Sequence, residues 1–273
     1  MNGAVKGEGS DGMDRQKAMR GGAALWEAWQ DGRQIDALPS DCRPGTIGEA
    51  YAVQDGLAAR AGLAVAGYKI GATNARVQAR FGVDAPFSGR LFADFVGESP
   101  LHVPPGRVNF HTIEPEFDFV MGRALAPRAA PYTREEVREA VASVHPAIEV
   151  PDSRYTDWLS MSAADLIADN AIAGLLCLGP AAEGGLTHDL AAQPVIVRVN
   201  GAPASEGAGR NVLGDPWNVL VWLANHLSAR NATLEAGHIV TTGSATDIVR
   251  CRPGDAVTAD FGPLGEVEVR FGK

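Results

Sequence analysis

The stretch TIEPEFDFV, residues 112–120, sets Glu114, Glu116 and Asp118 on alternate positions, with Ile113, Phe117 and Phe119 on the opposite alternation. Successive side chains of a strand point to opposite faces. A strand here therefore has one acidic face and one apolar face. Like charges stacked along a strand repel, so the acidic face needs either water or a cation. A second strand, PAIEV (146–150), carries an isolated Glu149 among apolar residues, where an unpaired carboxylate is costly. These two segments limit the fold to one whose sheet can face both a core and a polar site.

The remaining pattern gives helices first and strands later. AALWEAWQDG (23–32) reads as helix, with Leu25 and Trp29 on one face. TIGEAYAVQDGLAARAG (46–62) is a clearer one, with Thr46 and Glu49 in capping-box spacing and Gly62 to end it. AVAGYKIGA (64–72) reads as a strand, ARVQARFGV (75–83) as a short helix, and DAPFSGRLFADF (84–95) as turn-rich. From about residue 108 the texture turns to β. Within it, TREEVREAVASV (133–144) predicts a helix with Thr133 and Glu136 in capping-box spacing. SAADLIADNAIAGLLCLG (162–179) predicts a helix running into a buried apolar segment, and PWNVLVWLANHLSAR (216–230) an amphipathic helix with Pro216 in its first turn. GAGRNVLG (207–214) lacks the strand–turn–helix context of a dinucleotide site and reads as a loop. Helices followed by a mixed β-rich body predict an α+β chain rather than a doubly wound sheet.

Composition narrows the partners. The 273 residues are 45% hydrophobic and 21% charged, with a formal net charge of −9. That is ordinary globular composition, and the acidic balance disfavours nucleic acid as a partner. A small anionic substrate would need a local positive centre. Cys42, Cys177 and Cys251 form no C-x-x-C and no even framework, which predicts a reducing compartment. The longest apolar run, 171–179, is too short to span a bilayer, and the N-terminus lacks a signal-peptide core. The expectation is a cytoplasmic protein with a Gly-rich flexible tail over 1–15.

The candidate chemistry rests on a few side chains. Glu114, Glu116 and Glu149 would give Mg²⁺ or Mn²⁺ the hard oxygen ligands it takes, with positions left open. A solvated strand face is the plain alternative. Lys69 interrupts the apolar GYKIG and reads either as a strand lysine with a wet head or as a group that meets an anion or carries a proton. Thr73 follows it. VPDSRYTDW (150–158) offers Asp152 and Arg154, either as ion pairs within a turn or as groups that orient Glu149. TTGSAT (241–246) offers Thr242, Gly243 and Ser244, as a tight turn or as a place where backbone and hydroxyl meet a carboxylate.

Together, AGYKIGATNARVQARFGVDAPFSGRLFADF, IEPEFDFVMGRAL, HPAIEVPDSRYTDW, IADNAIAG, VLGDPWNVLVWLANHL and the C-terminal VTTGSAT…RPGDAVTADFGPLGEVEVRF resemble the 2-keto-4-pentenoate hydratases of the fumarylacetoacetate hydrolase superfamily, in the same order over roughly 46–271. The resemblance implies a mixed β-sandwich roll at 66–273 after a helical region at 16–65, and a homo-oligomer. It implies Mg²⁺ or Mn²⁺ on Glu114, Glu116 and Glu149, with Lys69 as the catalytic lysine and Thr73 and Ser244 at the substrate. The implied substrate is a small 2-oxo or 2-hydroxydienoic acid from aromatic catabolism, which takes up water to give a 4-hydroxy-2-oxo acid. Decarboxylation of a 2-oxo-3-enedioate is the alternative, followed by carbon–carbon hydrolysis and then by ligand binding without catalysis. Two positions depart from the pattern. Relatives often carry a proton-transferring acid where this chain has Phe87, which leaves Asp84, three residues earlier, as the expected catalytic acid. Asp118 stands where a small or apolar residue is usual.

Overall fold

The computed structural model describes residues 13–273. The expected tail lies outside the described residues as far as residue 12. Asp14 then caps the first helix, its carboxylate accepting from the Lys17 N–H at 2.8 Å. In chain order come α1 (Arg15–Gln30), α2 (Ile47–Ala61), β1 (Val65–Gly71), α3 (Ala75–Phe81), β2 (Phe87–Phe92), β3 (Val96–Glu98), β4 (Leu101–Val103) and β5 (Thr112–Met121). They are followed by α4 (Arg134–Arg138), β6 (Val141–Val150), α5 (Ala163–Ala168), β7 (Leu175–Leu178), β8 (Pro194–Val199), β9 (Ala202–Ala208) and α6 (Pro216–Ala229). The last strands are β10 (Ile239–Thr241), β11 (Val249–Arg250), β12 (Ala256–Asp260) and β13 (Glu266–Phe271).

Local chemistry sets several of these ends. Thr46 and Glu49 form the expected capping box of α2, and Gly62 closes it in the left-handed conformation. Thr133 and Glu136 cap α4 in the same way, but the helix stops at Arg138. The expected helix over 133–144 thus gives way to strand from Val141, because Val141 and Val144 are buried against Met121 and Phe119 of β5. The segment 162–179 is helical only to Ala168. Asn170, Ala171 and Ile172 all take positive φ, near 53–54°, which turns the chain into β7. The turn-rich reading of 84–95 misses β2, an edge strand paired antiparallel with β1.

Two sheets carry the α+β fold. An eight-stranded mixed sheet runs β2-β1-β10-β5-β6-β7-β3, with β11 pairing on β5, and a five-stranded sheet runs β4-β13-β12-β8-β9. The apolar face of β5 looks into the main core. Phe117 meets Phe261 edge-on at 5.2 Å, and Phe119 meets Trp217 of α6 at 4.4 Å. A second core lies beneath α1 and α2, where Trp29 stacks on Phe95 at 4.9 Å and Trp26 and Trp29 pack against Phe92. Gly22 lets α1 and α2 touch, since a Cβ there would fall 2.2 Å from the Leu57 nitrogen. Each buried aromatic here contributes about 3–5 kcal/mol relative to Ala. No helix of the described residues is long and apolar enough to cross a membrane. The consequence for function is the placement of β5. It sits inside the larger sheet between β10 and β6, so its acidic face is bordered by side chains from both neighbours.

Candidate active site

The strand register assembles the acids. Glu114 stands opposite Glu149 on β6, while Asp118 stands between His145 of β6 and Thr241 of β10. Lys69 of β1 is in register with Thr241. Paired residues share a face, so Lys69, Glu114, Glu116, Asp118 and Glu149 all project to one side of the sheet. One carboxylate oxygen from each of Glu114, Glu116 and Glu149 lies within 4.8 Å of the others. Lys69 Nζ makes an ion pair with Glu149 Oε2 at 3.1 Å, with both side chains almost fully buried.

Glu116 is held from the far end of β10. The Gly243 N–H donates to its Oε2 at 2.7 Å, and the Thr241 hydroxyl donates to the same oxygen. Gly243 adopts φ +90°, and a Cβ there would fall 2.1 Å from Thr73 Oγ1, so backbone, threonine and carboxylate fit only around glycine. The other oxygen of Glu116 and Oε1 of Glu149 have no hydrogen-bond partner although buried. Burial, reinforced by the charges of Glu114 and Asp118, pushes the Glu116 carboxyl up to about 8. Burial likewise raises Glu114 and, strongly, Glu149, with Lys69 pulling both back. For Lys69 burial works against the ammonium, but the field of the three glutamates outweighs it and raises its pKa.

These features fit a divalent cation. With all four groups ionised, three carboxylates face one ammonium, a deficit of two positive charges. The orphaned buried oxygens supply ligand positions, and an all-carboxylate donor set suits a hard cation.

A cleft of 440 Å³ opens over this floor, lined by Lys69, Thr73, Phe87, Glu114, Trp158 and Ser244 among others. Lys69, Thr73 and Ser244 thus come together with the carboxylates. Ser244 Oγ is buried without a partner. Asp84 does not join them. It is exposed and lines a separate depression, and Phe87 borders both. The expected catalytic acid is therefore outside the cleft, behind an aromatic wall. Asp152 and Arg154 do not touch Glu149. Asp152 accepts from the N–H groups of Asn109 at 2.8 Å and Phe110 at 3.2 Å. Arg154 pairs with buried Asp169 and lies 4.1 Å above the Trp29 ring. Both pin the end of β6 to neighbouring segments, and the direct partner of Glu149 is Lys69. Asp118 is fully buried with neither oxygen bonded, and burial holds its carboxyl well above the usual range. It is not among the three acids that converge.

Three features were not foreseen from the sequence. Thr241 as a donor to Glu116 is one. Its signal was its alternation with Gly243 at the end of a strand. Arg76 and Arg80 in the cleft wall are the others. The i, i+4 spacing of 76 with 80 and 77 with 81 puts all four residues on one side of α3.

Residues 66–271 match the family model described as "Fumarylacetoacetate (FAA) hydrolase C-terminal". The chain is 34% identical over 264 residues to the 2-keto-4-pentenoate hydratase of Paraburkholderia xenovorans (strain LB400), covering 95% of this chain and 96% of that protein. It is 29% identical over 263 residues to the 2-hydroxyhexa-2,4-dienoate hydratase of Comamonas testosteroni, covering 94% and 98%. Among solved structures, the 4-oxalocrotonate decarboxylase from Pseudomonas putida G7, complexed with magnesium and adipate, superimposes with a TM-score of 0.87 at 28% identity, over 96% of this chain and all of that one. By match and by coverage, the chain belongs to the fumarylacetoacetate hydrolase family, among the 2-keto-4-pentenoate hydratases.

Proposed function

We propose that this protein is a divalent-metal-dependent hydratase that adds water to a short 2-hydroxydienoate of the 2-keto-4-pentenoate type, giving a 4-hydroxy-2-oxo acid in aromatic catabolism. The observation that carries the reading is the convergence of Glu114, Glu116 and Glu149, with Lys69 between floor and cleft. The hydratases to which the chain is similar over nearly its whole length support it. Glu114, Glu116 and Glu149 would hold the cation, Mg²⁺ or Mn²⁺ by donor type, and the decarboxylase neighbour, complexed with magnesium in one structure and calcium in another, supports a divalent cation. When bound, the cation supplies Lewis-acid polarisation of the substrate's 2-oxygen.

The chain's own residues do the rest. Gly243 and Thr241 fix Glu116 so that its second oxygen faces the cluster. Ser244 Oγ and the Thr73 hydroxyl are donors at the cleft for the substrate carboxylate. Hydration places a proton on C5 of the dienol, then a hydroxyl on C4 and a proton on C3. Lys69 Nζ is the proton-bearing group at the cleft floor and serves as the carrier. Phe87 and Trp158 wall the site with apolar surface, which strengthens these polar contacts. A cytoplasmic homo-oligomer completes the reading.

The test is ultraviolet absorbance of 2-hydroxypenta-2,4-dienoate with enzyme and Mg²⁺ or Mn²⁺. The dienol band should disappear, 4-hydroxy-2-oxopentanoate should form, and chelator should stop the reaction. Full activity in chelator rules the reading out. One observation favours decarboxylation of a 2-oxo-3-enedioate instead: Phe87 presents a ring where an acid was expected. Carbon dioxide release from 4-oxalocrotonate, without dienol consumption, would select that reaction.

A further inference from the structure

The cleft has a charged far end as well as a charged floor. Arg76, Val77, Arg80 and Phe81 of α3 line it together with Lys69 and Glu114. Arg76 is already committed, with its guanidinium 2.6 Å from Asp247. Arg80 is not. One of its terminal nitrogens donates to the Leu159 carbonyl at 3.3 Å, and no carboxylate among the described residues pairs with it. Leu159 also lines the cleft, so this contact keeps the exposed guanidinium at the cleft wall. The lining also has an apolar part, with Val77, Phe81, Phe87 and Trp158. With Asn74 capping α3 beside Thr73, a rise of 1.5 Å per residue places Arg80 about 9 Å along the helix from the floor end.

We infer that Arg80 recognises a carboxylate at the far end of the substrate, making the preferred substrate a 2-oxo or 2-hydroxydienoic acid with an apolar middle and a second, distal carboxylate. The inference rests on the hydratase reading for its head group and adds the tail. A guanidinium offers a forked set of donors that matches a carboxylate, and this one has donors to spare. The same contact bears on the reaction. Loss of carbon dioxide from the tail would need that carboxylate to give up its charge, and an ion pair with Arg80 stabilises the charge instead. Hydration leaves the tail untouched: one water enters, its hydroxyl goes to C4, its proton to C3, and nothing departs. Arg80 therefore favours a product that keeps both carboxylates. Arg80 also stands in the last turn of α3, where a cation offsets the helix dipole. That role would affect stability alone and would not distinguish between ligands.

Calorimetry on the magnesium-loaded protein separates the two roles. 2-Oxoadipate and 2-oxohexanoate share the head group and chain length and differ in the distal carboxylate. Wild type should bind 2-oxoadipate about tenfold more tightly. Arg80→Gln should abolish the preference, and Arg80→Lys should keep part of it. The 2-oxohexanoate affinity of each variant reports whether its site is intact. Equal affinities in wild type, or a preference that survives Arg80→Gln, overturn the tail assignment and leave the hydratase reading standing. Failure of wild type to bind either ligand overturns both.

Discussion

Glu114 and Glu149 face each other directly across the antiparallel β5–β6 pair, two carboxylates at one cross-strand position. Like charges placed so are destabilising by about 0.2–1 kcal/mol even on an exposed sheet, and here Glu149 is almost fully buried. Replacing Glu114 with Gln keeps the shape and removes the repulsion. The metal-free variant should melt at a higher temperature than metal-free wild type. The gain in melting temperature on adding Mg²⁺ or Mn²⁺ should shrink, and turnover should fall by at least about a hundredfold. Thermal melts with cation and with chelator read both effects. A variant stabilised by cation as much as wild type would remove Glu114 from the ligand set.

Lys69 makes the opposite case, since it is the only protein cation paired with Glu149 among the described residues. Lys69→Met leaves a buried carboxylate without its partner, at a cost of about 3–5 kcal/mol in the metal-free protein. A bound cation shares that role, so saturating Mg²⁺ should recover part of the stability but not the activity, because the proton carrier is gone. Denaturant melts with and without Mg²⁺, beside turnover, test this. Recovery of activity along with stability would make Lys69 a structural counter-ion only.

Gly243 couples the floor to the cleft wall. A methyl group at this position collides with Thr73 and meets a φ of +90° that alanine tolerates poorly. Gly243→Ala should shift the N–H that holds Glu116 and weaken Mg²⁺ binding by about 10–100-fold. Isothermal titration with Mg²⁺ measures it, and unchanged affinity would show that Glu116 needs no backbone anchor.

The features readable in the sequence were those with a short-range cause. Alternation along 112–120 gave the acidic face, and the isolated Glu149 in an apolar strand marked the second half of the cluster. Capping boxes at Thr46 and Thr133 began the helices that the structure contains. The features that escaped depend on contacts far apart in the chain. Arg154 reads as a neighbour of Glu149, yet its partner is Asp169 beyond α5. Asp84 is close to Phe87 in sequence and shares the outer depression with it, but only Phe87, where β2 begins, also reaches the cleft. Helix propensity over 133–144 yields after Arg138 because pairing with β5 buries Val141 and Val144. Arg80 becomes a cleft residue only when α3 is laid beside the end of β10.

Asp152 gives the fold a pH dependence of its own. Burial raises its carboxyl to about 6, against the opposing pull of Arg154 and the N–H groups of Asn109 and Phe110. An acid with a raised native pKa binds its proton more tightly folded than unfolded. The stability it contributes is full below the unfolded value near 3.8 and is lost as pH rises through about 6. A shift of this size corresponds to roughly 2–3 kcal/mol. Asp152→Asn keeps an oxygen that can accept from the Asn109 N–H and removes the titration. Urea melts of both proteins at pH 4 and pH 7 should therefore show wild type losing stability relative to Asp152→Asn as pH rises. Parallel pH profiles for the two would mean that this buried carboxyl titrates alike in the folded and unfolded chain.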